Sequence, residues 1–144
     1  MSRLTLEHSN TIVEAALKAR RAAGAQPLAV VVLDDSGHVK SVQREDGASM
    51  FRPDIALGKA WGAVAMGESS RSLARKAQEN PNFVNGLAVA SGGRLLANPG
   101  GVLIRAKDGT IMGAVGISGD SGPNDENFAA AGIEAAGLTP DAGE

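Results

Sequence analysis

The sequence predicts a single α+β domain with a largely antiparallel sheet and helices packed on it. The chain has 144 residues, enough for one domain with a core of its own. Two polar turns, residues 34–37 (DDSG) and 107–110 (KDGT), each separate two runs of strand length, which predicts two antiparallel hairpins. Helical patterns precede, separate and follow these hairpins, an order typical of an α+β domain.

The first predicted element is an amphipathic helix over residues 4–23. Apolar residues recur at helical spacing, Thr5 stands where a cap is expected, and Gly24 follows the last turn. His8 falls in the first turn, where a solvated side chain is the simplest interpretation.

The first hairpin is predicted from residues 28–33 (LAVVVL) and 38–44. The first run is continuously apolar, which is typical of a strand covered on both faces, whereas the second alternates imperfectly. His38 opens the second strand, and we leave open whether it is a surface or a pocket residue.

Two helices and an irregular segment are predicted next. Pro53 and Asp54 begin a helix that ends at Gly67, and a shorter helix covers residues 69–79. The following glycine-rich stretch is expected to be irregular over residues 82–101, with short strand candidates at 87–90 and 94–96.

The chain closes with a second hairpin, a helix and a polar tail. Strands are predicted over residues 101–106 and 111–117, and the last helix runs from Pro123 to about residue 136. We expect one domain over residues 1–144, with a flexible tail from about residue 138.

Composition excludes several classes of function. There is no cysteine, so disulfides, thiolate chemistry and cysteine-ligated metals are excluded. A net charge of -2, without a basic block, argues against nucleic-acid binding. We find no signal peptide and no apolar window of membrane-spanning length, so we expect a cytoplasmic protein without a membrane partner.

The stretch over residues 113–131 (GAVGISGDSGPNDENFAAA) is the first candidate site. A glycine-containing strand leads through a glycine turn into a helix, an arrangement that can bring backbone N–H groups and side chains together. The carboxylates of Asp120, Asp125 and Glu126 would repel a phosphate, so they favour a cation, a metal or proton transfer.

We predict a pocket between this strand, the start of the PGG strand at residues 100–101 and the second helix. Its side chains would be Lys59 and Ser118, with Asp125 and Glu126 at the rim and Lys59 paired with Asp125. Glycine leaves room where a side chain would fill space, so its lining would include the following glycines: Gly100, Gly101, Gly116 and Gly119.

Several motifs resemble one known family. They include LTLEHSNTIVEAAL, REDGA, DIALGKAWGAVA and PGGVLI, and the most specific is DGTIMGAVGISGDS followed by NDENF. The chain resembles the GlcG/HbpS family of haem-degrading-like domains, which also occurs as the C-terminal domain of PduO-type corrinoid adenosyltransferases. The resemblance covers nearly the whole chain.

The resemblance implies a profilin-like fold, with an antiparallel sheet of five or six strands flanked by helices. It also implies a symmetric homo-oligomer, reaching an octamer, and a small ligand, with haem or a corrinoid as the implied cofactor. Haem iron would need His8 or His38, or one of the following methionines: Met50, Met66 or Met112.

Two other hypotheses stay open at this point. The protein could be an isomerase, tautomerase or lyase acting on a carboxylated catabolite, with Arg44, Lys59 and Arg105 holding the carboxylate. Asp46, Asp125 or Glu126 would then move a proton, which requires a carboxyl pKa near neutrality. The third hypothesis is a structural or sensing oligomer with an empty pocket.

Overall fold

A computed structural model describes residues 3–143 as one α+β domain. Within these residues there are five helices and five strands. In chain order they are α1 (Leu6–Ala23), β1 (Ala29–Asp34), β2 (Val39–Arg44), α2 (Arg52–Met66), α3 (Ser70–Glu79), α4 (Pro81–Ala90), β3 (Gly101–Arg105), β4 (Ile111–Ser118), α5 (Gly122–Ala135) and β5 (Thr139–Asp141).

The strands form one antiparallel sheet in the order β2-β1-β4-β3-β5. Both predicted hairpins are present, and β4 joins them because it pairs with β1 on one side and β3 on the other. The antiparallel sheet flanked by helices is therefore confirmed, with five strands.

Two apolar layers cover the sheet, and β1 contributes to both. Val30 and Val32 belong to a core cluster with residues of α1 and α5, whereas Val31 and Leu33 belong to a cluster with α2. Successive residues of a strand point to opposite faces, so a strand buried on both sides must be apolar throughout. This explains the continuous apolar run of β1.

Helix α2 lies unusually close to the sheet. A Cβ atom at Gly116 would overlap the carbonyl oxygen of Ala56, and one at Gly101 would overlap the carbonyl oxygen of Lys59. The α2 side of the core is correspondingly built from small residues, including Ala56, Ala60 and Ala114. These glycines allow a helix backbone to rest directly on the strands.

The segment that we expected to be irregular contains a helix. Residues 87–90 lie in α4 rather than in a strand, since Asn80 accepts a hydrogen bond from Phe83 N and Pro81 is a favourable first helical residue. The strand predicted at 94–96 is also wrong. There, Leu96 N donates to Gly58 O of α2 instead of to a neighbouring strand.

Part of the predicted flexible tail forms a strand. Residues Thr139–Asp141 pair with β3, and Asp141 Oδ2 accepts from Arg105 Nε at 2.8 Å. Pro140 suits this edge position because it cannot donate to a further strand. The ordering comes from a contact with β3, which local composition does not reveal.

None of the helices in residues 3–143 combines the length and the apolar character needed to cross a bilayer.

We expect the replacement Gly116→Val to destabilise the fold by about 3 kcal/mol or more, because its Cβ would force α2 away from the sheet. Gly86→Ala in α4 is the control, since the added carbon would meet nothing within 4 Å apart from its chain neighbours and the backbone of its own helix. It should stabilise the protein by about 0.5–1 kcal/mol. Urea unfolding followed by the fluorescence of the single Trp61 measures both. A Gly116→Val protein as stable as the parent would contradict the close packing.

Candidate functional site

The residues predicted to form a site lie at two opposite ends of the sheet. At the lysine end, β4 finishes at Ser118 and β3 begins at Gly101, close to Lys59 of α2. At the hairpin end lie the turn after Asp34 and the turn after Arg105. The two predicted histidines, His8 and His38, line grooves beside these hairpin turns.

The lysine end contains a buried pair of opposite charges. Lys59 Nζ donates to the carbonyl oxygen of Ile117 at 2.8 Å and to Asp125 Oδ2 at 3.4 Å. Only 2% of Lys59 and 1% of Asp125 is exposed. The expected contact between Lys59 and Asp125 is therefore present, but it lies inside the protein rather than at a rim.

Burial dominates the electrostatics of this pair. It lowers the pKa of Lys59 and raises the pKa of Asp125, and in each case the attraction of the partner opposes the shift only in part. Both pKa values therefore move in the direction that favours the neutral forms. Groups whose pKa values are shifted by burial beside a charged partner are candidates for acid–base chemistry.

Asp125 also fixes the turn that precedes α5. Its Oδ1 accepts from Asp120 N at 3.1 Å, and the Asp120 carboxylate accepts from Gln26 N and Asn124 Nδ2. These hydrogen bonds, with that from Gln26 foremost, lower the pKa of Asp120. The N-cap of α5 is Ser121, so Asp125 serves the turn and the lysine rather than the helix end.

A second ion pair adjoins the first. Arg71 Nε lies 3.0 Å from Glu126 Oε2, and Glu126 is buried while Arg71 is partly exposed. Arg52 Nη1 donates to Ser118 Oγ at 3.1 Å. Sequence reasoning missed both arginines. The available signal was that two acids beside a buried strand end require cationic partners.

The room that we expected for a ligand is occupied by the protein itself. A Cβ at Gly100 would lie 2.6 Å from Lys59 Nζ, and the positions of Gly101 and Gly116 face the α2 backbone. Gly119 packs equally closely against Pro27 O. Ser118 is fully buried. Close packing within the chain thus accounts for the glycines that we assigned to a pocket.

The other predicted polar residues lie apart from Lys59. Arg44 of β2 pairs with a residue of β1 that in turn pairs with Ser118 of β4, so Arg44 lies two strands away from Ser118. Its Nη1 donates to Ala48 O. Asp46 is exposed in the turn that follows. Arg105 holds Asp141 and the Gly109 carbonyl at the hairpin end. The structure therefore does not bring these residues together around one substrate.

His8 belongs to the N-terminal cap of α1. Its backbone N–H donates to Thr5 Oγ1 at 3.0 Å, and Thr5 N donates back to His8 Nδ1 at 3.1 Å. This is a reciprocal capping box in which histidine takes the place usual for Glu or Gln. With Nδ1 engaged, Nε2 is the ring nitrogen left for a ligand.

A groove of about 490 Å³ runs past His8, and we call it the histidine groove. Its lining combines a buried methionine, apolar side chains and two basic residues. The lining residues are Arg3, His8, Ala106, Lys107, Asp108, Met112, Gly137 and Leu138.

The remaining iron-ligand candidates lie elsewhere. His38 is 81% exposed in its side chain and lies 4.0 Å from Asp34. It lines a neighbouring groove of about 540 Å³ that shares Arg3 and Asp108 with the histidine groove. Met50 is highly exposed, and Met66 ends α2. Among the described residues, no group of three or more His, Asp or Glu side chains could hold a metal ion.

We expect Asp125→Asn to lower the free energy of unfolding by about 3 kcal/mol at pH 7, because it leaves Lys59 buried without an anion. Because burial lowers the pKa of Lys59, keeping this lysine protonated inside the folded protein reduces the free energy of unfolding. The difference from the parent should therefore shrink as the pH rises toward the ordinary lysine value of 10.5. Denaturant unfolding across this pH range measures the effect.

The control for this experiment is Asp54→Asn, which removes the same charge from an exposed position in the first turn of α2. It should cost less than about 1 kcal/mol. An Asp125→Asn protein that matches the parent at pH 7 would show that no buried charge pair exists.

Comparison with known proteins gives consistent results. A family model described as haem degrading protein HbpS-like matches residues 4–134. The structure of the PduOC–haem complex has a TM-score of 0.84 and 26% identity, covering 95% of this chain and 97% of that chain. A double mutant of HbpS from Streptomyces reticuli has a TM-score of 0.79 and 30% identity, covering 93% and 87%.

One curated protein is also similar, an uncharacterized 15.0 kDa protein from the dhaT–dhaS intergenic region of Citrobacter freundii. It is 28% identical over 103 residues, which are 72% of this chain and 71% of that protein. Because the family model spans nearly the whole chain, this protein belongs to the HbpS-like family of haem degrading proteins, the family that its motifs resemble.

Proposed function

We propose that this protein binds a tetrapyrrole, with haem as the ligand, in the histidine groove. The observation that carries the proposal is that His8 and Met112 line one groove together with apolar and basic residues. His8 and Met112 come from α1 and β4, and the fold brings them to the same side of the sheet.

The chemistry of the groove fits haem. Histidine is an established axial ligand of haem iron, and His8 is partly exposed, whereas the buried Met112 forms part of the apolar wall. A volume of about 490 Å³ lies within the range usual for small-molecule sites. Ala106 and Leu138 provide apolar contact for a macrocycle, and Arg3 and Lys107 provide positive charge near the opening.

The comparisons support ligand binding in general. The PduOC structure contains haem, and the matching family is described by haem degradation. Those properties belong to the relatives. For this chain they raise the expectation of a haem ligand, and the partly exposed His8 in the histidine groove supplies an independent argument.

His8 would hold the iron through Nε2, and bound haem would supply redox chemistry at that iron. The present hydrogen bond from Thr5 N makes Nδ1 an acceptor, which puts the proton of a neutral ring on Nε2. Ligation through Nε2 therefore requires the proton to move to Nδ1. Thr5 N–H then loses its acceptor, so ligand binding is coupled to the α1 cap.

The acid–base alternative stays a prediction. Lys59 and Asp125 have the shifted pKa values that proton transfer needs, and Glu126 lies beside them. However, both members of the pair are almost fully buried. A carboxylated substrate could reach them only if the surrounding chain rearranged, so the geometry favours the histidine groove.

We expect His8→Gln to abolish the shift of the Soret band that haemin undergoes on binding, because glutamine provides no axial ligand for iron. Glutamine at this position preserves the capping box, so α1 should remain intact. The control His38→Gln should retain the shift, since His38 lines the neighbouring groove. Haemin titrations of the three proteins measure this.

An unchanged Soret shift in His8→Gln would contradict the proposed ligation. Loss of the shift in His38→Gln alone would place the iron in the neighbouring groove.

We also propose that the protein acts as a symmetric homo-oligomer, up to an octamer, as the family resemblance implies. Several large apolar side chains are exposed on the single chain, including Phe51, Phe83 and Val89. Light scattering should give a multiple of the 14.6 kDa chain mass, and Val89→Glu on α4 should reduce it. A single-chain mass for the folded parent protein would contradict the proposal.

A further inference from the structure

We infer that the histidine groove selects tetrapyrroles that carry free carboxylate side chains, through Arg3 and Lys107. Haem has two propionates on one edge of its ring, whereas the side chains of a corrinoid are mostly uncharged amides. The inference rests on the proposed function and decides between the two cofactors that the family resemblance implies.

The two basic residues are available to a ligand. Arg3 and Lys107 are exposed, and neither has an ion-pair partner among residues 3–143. Arg105, also at the hairpin end, is different because Asp141 and the Gly109 carbonyl already occupy its guanidinium group. Arg3 and Lys107 thus bring positive charge to the groove that no ion pair with residues 3–143 neutralises.

Among residues 3–143, Asp108 is the only acidic residue of the lining, and it is engaged in a turn. Thr110 N donates to Asp108 Oδ1 at 2.9 Å, and this hydrogen bond lowers the pKa of Asp108. Asp108 therefore stays ionised at neutral pH. Arg3 and Lys107 still exceed it by one positive charge, so the lining favours an anionic ligand.

The neighbouring groove carries an excess of acidic residues, and this excess favours one orientation of the ligand. Its charged lining residues are three acids and two bases, Asp34, Asp35, Asp108, Arg3 and Lys40. A carboxylate pointing that way would meet excess negative charge. The propionate edge is therefore expected on the side of Arg3 and Lys107, and the apolar part of the ring against Ala106, Met112 and Leu138.

The charge at the opening of the groove, rather than contact with the ring, distinguishes haem from a corrinoid. Apolar side chains pack against a haem or a corrinoid ring without distinguishing them, and both kinds of side chain can accept hydrogen bonds. Of these two kinds of ring side chain, only a carboxylate gains the Coulomb attraction of an exposed cation, which amounts to about a two- to fivefold change in affinity per contact. High salt screens this attraction.

The experiment compares three probes: haemin, haemin dimethyl ester and cyanocobalamin. Titrations use the parent chain, Arg3→Gln, Lys107→Gln and the control Lys40→Gln, with Trp61 unfolding curves to verify the fold. We expect each groove variant to weaken haemin binding about two- to fivefold while leaving the ester unaffected. Lys40→Gln should leave haemin binding unchanged, because Lys40 does not line the histidine groove. Cyanocobalamin should bind more weakly than haemin to the parent.

The outcomes separate this inference from the proposed function. If His8→Gln abolishes the Soret shift, while haemin and its ester bind equally and neither groove variant changes haemin affinity, carboxylate selection is wrong and haem binding stands. If His8→Gln leaves the shifts of haemin and its ester unchanged, the proposed site is wrong. Tighter binding of cyanocobalamin than of haemin would overturn the selection of carboxylates.

Discussion

The direct contact between the backbone of α2 and strands β3 and β4 is the constraint on which the rest of the structure depends. Gly101 and Gly116 leave no side chain between helix and sheet, so the α2 layer is thin and built from small residues. The same approach carries Lys59 to the end of β4, where its amine reaches Ile117 O and Asp125. Close packing and the buried charge are therefore two results of one geometry.

The burial of Lys59 costs solvation free energy, and contacts with the surrounding chain offset part of that cost. Desolvation outweighs the attraction between Lys59 and Asp125, and several hydrogen bonds then hold the carboxylates in place. Asp120 ties the turn to Gln26, and Arg71 pairs with Glu126. Such a pair is weak support for stability but costly to break from one side. The clearest structural effect of the Lys59–Asp125 pair is to hold the turn before α5 in place.

Local sequence patterns predicted the elements that are bounded by capping residues, such as α1 between Thr5 and Gly24. They failed for α4 and β5, since Asn80 caps a glycine-containing helix and β5 depends on Arg105 and a neighbouring strand. At the lysine end, charge types predicted the Lys59–Asp125 contact. Whether a glycine leaves space for a ligand or for another backbone is decided by tertiary packing, which sequence alone does not contain. The histidine groove was missed for the same reason, because residues 3–8, 106–112 and 137–138 meet only in the fold.

The separation of the two ends of β4 has an evolutionary consequence. The lysine end combines buried charges with backbone contact, so a single substitution there disturbs several partners at once. The mouth of the histidine groove consists of exposed side chains such as Arg3 and Lys107, which few other contacts restrain. Substitutions at the mouth can therefore alter what is bound without disturbing the scaffold, whereas substitutions at the lysine end disturb the scaffold itself.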